Sequence, residues 1–227
     1  MNLAEITGQS EKHIYWFSPN TGVHHDVVKP WQQLCDAAKE QGFSLSIASG
    51  FRSFDRQLAI WNKKCSGQLG IKNINNEQVD IKKLSNDEVI AAILTFSALP
   101  GASRHHWGTD IDFYDKTALA EEQSLQLEPW EYQENGPFAD LTAWLIQHAH
   151  TFGFYFPYDK YRGGIAAEPW HLSYYPVAER YEKQLTQTTL LNCLQSSEIM
   201  NKSLVLENLS TIYNQYIFNI GNFEHGL

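Results

Sequence analysis

The sequence predicts an α+β fold: a small central antiparallel sheet with helices packed on one face, plus a C-terminal helical extension. Three observations carry this. Segments 24–42 and 139–152 repeat apolar residues at spacings of three and four, as one-sided helices do. Segments 43–48, 108–114 and 168–174 have the length and patterning of short strands. After Pro176 the composition changes, and the periodic segments of 177–227 read as helices alone.

Taken in order, Val27, Val28, Trp31, Leu34, Cys35 and Ala38 share one helical face, and Gly42 is the expected stop. Phe43 to Ala48 alternates apolar residues with Ser until Ser49-Gly50 breaks the strand. Ser53 is the expected N-cap of a helix over Asp55 to Lys64. Residues 65–84, rich in Asn, Lys and Gly, predict a surface excursion. A helix over Asp87 to Phe96 starts from Ser85 or Asn86, and Leu99-Pro100-Gly101 is a turn. In the 108–114 strand, Ile111 and Phe113 alternate with Asp110 and Asp112.

Residues 117–137 are acidic and Gln-rich, with Pro129 and Gly136-Pro137, and predict an irregular insertion. Ala139 to Phe152 predicts an amphipathic helix stopped by Gly153, then a short strand over Phe154 to Phe156 and a turn at Arg162-Gly163-Gly164. Glu168 to Tyr174 reads as a strand, and 177–196 and 202–218 as two helices. The expected organisation is a domain over 1–176 with an extension, 177–227, packed on or beside it.

Net charge is −9, with Lys+Arg 17 against Asp+Glu 26, which argues against a nucleic-acid backbone as partner. Cys35, Cys65 and Cys193 are odd in number and lack CxxC spacing, so neither a disulfide framework nor a cysteine metal site is expected. No apolar run reaches the length of a membrane span. Residues 1–8 lack the basic and apolar regions of a secretory leader, which predicts a cytoplasmic location. The alternative is a periplasmic or wall-associated protein whose leader has been removed. Nothing in the sequence sets an oligomeric state.

Two stretches carry the chemistry: Ser103-Arg104-His105-His106-Trp107-Gly108-Thr109-Asp110-Ile111-Asp112 and Glu168-Pro169-Trp170-His171. Two imidazoles and a carboxylate suit a zinc ion with one open position, and a nearby free glutamate suits proton transfer for its water. Spacing alone leaves His105 and His106 open as the first ligand. Each histidine taken singly reads more readily as a packing or surface residue than as a ligand.

With Ser49-Gly50-Phe51-Arg52-Ser53-Phe54-Asp55-Arg56-Gln57, these stretches resemble the zinc D-alanyl-D-alanine carboxypeptidases and dipeptidases of the vancomycin-resistance type. That group extends to lysostaphin-like peptidases and the hedgehog domain. The resemblance covers roughly residues 25–176. It implies His105, Asp112 and His171 as ligands of one zinc ion, Glu168 as catalytic base and Arg52 as the cation facing the scissile carbonyl. It further implies Gln57 and Ser103 as substrate contacts, in a groove where Trp107 and Trp170 are candidate walls. Many relatives carry a small residue where this chain has Asp110. On a strand Asp110 shares a side with Asp112, where it would orient a ligand histidine or attract a cationic substrate group; the other reading is a solvated strand residue.

The activity implied is zinc-dependent cleavage of a peptidoglycan-type peptide by a D,D- or L,D-carboxypeptidase, with a D-Ala-D-Ala dipeptidase or a muropeptide endopeptidase as alternatives. A zinc-stabilised binding module without catalysis is the reading from another class. The presence of ligands, base and arginine together argues against it.

Overall fold

The computed structural model describes residues 2–119 and 122–223. A short helix α1 (Leu3–Ile6) and a hairpin, β1 (Ile14–Ser18) with β2 (Thr21–His24), precede the first long helix, α2 (Val28–Glu40). Then come β3 (Leu45–Ser49), α3 (Phe54–Cys65), a two-residue hairpin of β4 (Ile71–Lys72) and β5 (Gln78–Val79), and α4 (Asn86–Phe96). The middle of the chain holds β6 (Asp110–Asp115), α5 (Pro129–Tyr132), α6 (Ala139–His148), β7 (Phe154–Tyr155) and β8 (His171–Tyr174). Four helices finish it: α7 (Tyr175–Glu182), α8 (Gln187–Gln195), α9 (Lys202–Glu207) and α10 (Leu209–Ile212).

The central sheet is antiparallel with strand order β3-β6-β8-β7. Alternation along β6 sends Ile111 and Phe113 to one face and Asp110 and Asp112 to the other. The apolar face, with Leu172 of β8, packs on Trp31, Leu34 and Ala38 of α2 and on Leu141 and Leu145 of α6. Phe113 is wholly buried there, and its truncation to Ala costs about 3–5 kcal/mol. The opposite face carries the polar residues that build the site.

A second apolar cluster joins Trp61 of α3 and Ile90, Ile93 and Leu94 of α4 to Tyr181, Leu190, Val205 and Ile212 of the last four helices. The chain beyond residue 176 therefore shares a core with α3 and α4. Residues 224–227 of that extension lie outside the described residues. Among the described residues, no helix is long and apolar enough to cross a membrane, and all three cysteines are free thiols.

Several boundaries differ from the sequence reading, each for a local reason. The helix expected from residue 24 starts at Val28, because His24 pairs with Ile14 in the hairpin and its N–H donates to the Gly108 carbonyl at 2.8 Å. Pro30 is accommodated in the first turn, where no intrahelical N–H is needed. The strand expected from Glu168 starts at His171, whose N–H closes a turn onto the Glu168 carbonyl at 3.1 Å. The helix expected over 177–196 is two helices, the second started by Thr186, whose hydroxyl accepts the Thr189 N–H. The 202–218 segment is α9, α10 and a π turn over Tyr213–Ile217. The polar excursion at 65–84 contains β4 and β5, and the insertion at 117–137 contains α5; residues 120 and 121 lie outside the described residues.

Candidate metal centre

The register of the sheet assembles the site. Asp112 in β6 lies opposite His171 in β8 and opposite Ser49 in β3. A bulge between Ile47 and Ser49 sets the second pairing and turns the chain out toward Arg52. His105 enters from a 3₁₀ turn, Arg104–Trp107, that ends at Gly108 with φ +67°. A side chain at Gly108 would also collide with Ile14 and with the His24 backbone, so glycine is required there twice over.

Single ligand atoms from His105, Asp112 and His171 lie within 4.8 Å of one another, and all three residues are buried. His105 Nδ1 donates to the Gly50 carbonyl at 2.8 Å, and His171 Nε2 donates to Asp110 Oδ1 at 2.9 Å. Each imidazole therefore turns a lone pair inward, His105 from Nε2 and His171 from Nδ1. His105 Nε2 lies 3.4 Å from Asp112 Oδ2, and His171 Nδ1 lies 3.2 Å from Asp112 Oδ1 and 3.5 Å from Glu168 Oε2.

Lone pairs facing carboxylate oxygens in a buried space repel one another unless a cation lies among them. Asp112 Oδ1 and His171 Nδ1 are buried with no hydrogen-bond partner, which is the expected signature of metal-binding atoms. Burial disfavours a charged His171, but Asp110, Asp112 and Glu168 outweigh it and hold the ring well above its ordinary pKa. The same carboxylates favour a metal ion in the proton's place. Burial raises the Asp112 carboxyl, but His105 and His171 outweigh it and hold the group far below the usual range. The donor set and the unbonded atoms fit a zinc ion with an open position.

His106 is excluded from this set by its own bonds. Its Nδ1 donates to the Arg52 carbonyl at 2.6 Å, its Nε2 accepts the Gly101 N–H at 3.1 Å, and burial pushes its pKa down to about 3. It is a neutral strut that ties the histidine turn to the Arg52 segment. The Arg52 N–H reinforces this by donating to the His105 carbonyl at 3.1 Å.

A cavity of about 310 Å³ opens over these atoms, and its wall includes Arg52, Ser103, His105, Asp112, Glu168, Trp170 and His171. The Arg52 guanidinium is held by Gln57 Oε1 at 2.9 Å and Ser49 Oγ at 3.4 Å, while its Nε is buried and unbonded. Burial lowers its pKa, against the pull of Asp112 and Glu168.

Three expected substrate contacts lie elsewhere. Gln57 is fully buried off the cavity, with its amide spent on Arg52 and on the Ala98 carbonyl at 2.7 Å. Asp110 is fully buried behind His171 and does not face the cavity, so it has no route to a cationic substrate group. Trp107 is a packing residue, stacked on Tyr181 and bonded through Nε1 to the Ile6 carbonyl at 3.0 Å.

Residues not singled out in the sequence also line the cavity. Tyr158 packs edge-on against the His171 ring with centroids 4.8 Å apart, and no motif marks it. Lys64 reaches the wall from α3 and donates to Ser97 Oγ at 2.6 Å; its spacing from Gln57 and Trp61 puts it on their helical face, the one signal that would have found it. Lys72 of the 65–84 excursion forms an ion pair with Glu128 of the 117–137 insertion, and both residues line the cavity.

The family model "VanY: D-alanyl-D-alanine carboxypeptidase" matches residues 20–177. An uncharacterised protein of Haemophilus influenzae is 36% identical over 125 residues, covering 54% of this chain and 95% of that protein. The structure of VanYB in complex with D-alanine-D-alanine superposes with a TM-score of 0.54 at 23% identity, over 81% of this chain and 90% of that one. A mutant of the vancomycin-resistance D,D-pentapeptidase VanY in complex with Zn(II) gives a TM-score of 0.52 at 22% identity, over 80% and 92% of the two chains.

Proposed function

This chain belongs to the VanY family of D-alanyl-D-alanine carboxypeptidases, a peptidase family, and from that premise we propose that it is a zinc-dependent carboxypeptidase. Its substrate is a peptidoglycan-type peptide ending in D-alanine. The observation that carries this is the pair of buried, unbonded atoms, Asp112 Oδ1 and His171 Nδ1, at the floor of a cavity that also holds Glu168 and Arg52.

His105, Asp112 and His171 would hold the zinc. Bound there, zinc supplies Lewis acidity to the scissile carbonyl and to the attacking water. Glu168, whose carboxylate lies 3.5 Å from His171 Nδ1, takes the proton of the water and returns it to the departing amine. Arg52 places a positive charge beside the carbonyl oxygen as it becomes an oxyanion. Its fork is fixed by Gln57 and Ser49 before substrate arrives, so no reorganisation is needed at the moment of reaction.

The cavity favours removal of a terminal residue over cleavage within a long chain. It is small, two insertions meet at its wall through Lys72 and Glu128, and Lys64 adds a second cation to Arg52 there. Lys64 has no carboxylate within ion-pair distance among the described residues, which suits the free carboxylate of a peptide end.

The test is mass spectrometry of a defined muropeptide panel incubated with zinc-loaded protein, beside Glu168→Gln. Wild type releases a single terminal D-alanine from a peptide. Glu168→Gln retains stoichiometric zinc and loses about 10²–10⁴-fold in turnover. Zinc binding with no cleavage of any panel member would support the non-catalytic module instead.

A further inference from the structure

We infer that Asp110, Arg104 and Glu182 form a chain of charge that positions His171 as a metal ligand, so that helix α7, largely beyond the family-matched residues 20–177, contributes to metal affinity. The inference rests on the proposed metal site and not on the reaction.

Asp110 has no spare acceptor capacity. Its Oδ1 accepts from His171 Nε2 at 2.9 Å and Arg104 Nε at 2.7 Å; its Oδ2 accepts from Thr109 Oγ1 at 2.6 Å and Ser173 Oγ at 3.1 Å. Four donors fill the four lone-pair positions of a carboxylate. Asp110 therefore cannot swing toward the cavity, and it holds the His171 ring in one orientation and one tautomer. A carboxylate on the far nitrogen also makes the near nitrogen a stronger donor to a metal ion.

Arg104 makes this carboxylate tolerable in a dry interior. The residue is 3% exposed, and its guanidinium sits 4.9 Å from the Trp107 ring centroid. Beyond Asp110 it donates through Nη2 to Ser173 Oγ at 2.7 Å and to Tyr155 Oη at 3.2 Å. Its Nη1 pairs with Glu182 in the last turn of α7. Glu182 draws part of the guanidinium's field outward and fixes the fork from behind. Without it, Arg104 faces Asp110 alone, binds it more strongly, and leaves less of its charge for His171. The two-residue step that relates Asp110 to Asp112 is repeated from His171 to Ser173, so ligand pair and supporting pair lie side by side on one face of the sheet.

The test is zinc affinity of the full chain, measured by competition with a chromophoric chelator, together with the visible absorption of the cobalt-substituted protein. Asp110→Asn weakens zinc binding by about 10–100-fold. Glu182→Gln weakens it by about threefold or more, below that range, and shifts the cobalt bands. Glu179→Gln, on the same helix and paired with Lys183 at 2.6 Å on the surface, leaves both readouts unchanged. If Asp110→Asn does not fold, Arg104→Lys replaces it, keeping the charge while losing the fork, and is expected to weaken zinc binding. If Glu182→Gln binds zinc as wild type does with unshifted bands, even at a lower melting temperature, the role of α7 is overturned. If Asp110→Asn or its replacement also binds normally, the whole chain of charge is overturned. A wild-type protein that takes up no zinc would instead sink the proposed function.

Discussion

The Gly50 carbonyl sits 2.8 Å from His105 Nδ1, so a backbone oxygen selects which nitrogen of that ring faces the cavity. Glycine is needed at this position because a Cβ would lie 2.2 Å from the Gly22 carbonyl oxygen of the N-terminal hairpin. Backbone on one side and Asp110 on the other thus orient two rings toward Asp112 before any metal arrives.

Metal removal is expected to destabilise the fold. A chelator leaves Asp112 Oδ1 and His171 Nδ1 buried without partners, and zinc at a thousand times its dissociation constant adds about 4 kcal/mol. Thermal unfolding with chelator, then with added zinc, checks this; a midpoint indifferent to both would count against the centre.

Arg52 and Gln57 separate chemistry from positioning. Arg52→Lys is expected to lower kcat by about 10²–10³-fold, because the point charge cannot keep the fork's geometry. Gln57→Leu removes the bond to Nη1 and leaves the fork held by Ser49, and is expected to lower kcat by about tenfold with little change in KM. Steady-state kinetics on one cleavable peptide reads both.

Lys64 is expected to recognise the substrate carboxylate. Lys64→Met should raise KM about tenfold for a peptide acid, the worth of one charge-assisted hydrogen bond, and leave the C-terminal amide of that peptide unaffected. Equal cleavage of acid and amide by wild type would remove this role.

His24 is expected to make stability depend on pH. Burial lowers its pKa to about 4 in the fold, so the unfolded chain binds more protons between that value and about 6.5. Its contribution is complete above about pH 6.5 and is lost as pH falls toward 4, amounting to about 2 kcal/mol between pH 7 and pH 5. Chemical denaturation of wild type and His24→Asn at both pH values tests it. The variant can still accept the Asp26 N–H and should show the smaller drop.

Much of the site was legible because its residues lie in short stretches whose spacing matches the elements that hold them. Alternation along Asp110-Ile111-Asp112 placed both carboxylates on one face correctly. It could not say that Arg104 and Ser173 would claim the first, because those partners come from a turn and from another strand. The hairpin was illegible for a related reason. Tyr15, Trp16 and Phe17 form an unbroken aromatic run that is largely exposed, without the alternation that marks a half-buried strand. The pairing of Lys72 with Glu128 joins two polar segments that carry no periodic signal. Pro169 hid the turn at Glu168, because an extended residue before proline suits a strand equally well.

The spacing of Asp110 and Asp112 also bears on how the chain finds its fold. Because strand faces repeat every second residue, a slip of β6 against β8 by two positions would leave every side chain on its own face. It would also set Asp110 against His171, a mispairing that still offers a carboxylate to the imidazole. Arg104 breaks that degeneracy. In the native register its guanidinium, anchored by Glu182, meets the carboxylate of Asp110 and the hydroxyl of Ser173 together, and of these the bond to Ser173 is the one that crosses to β8. A two-residue slip would break the bond from Arg104 to Ser173, so this contact is expected to favour the register in which Asp112 faces His171, a distinction that hydrophobic patterning alone does not make.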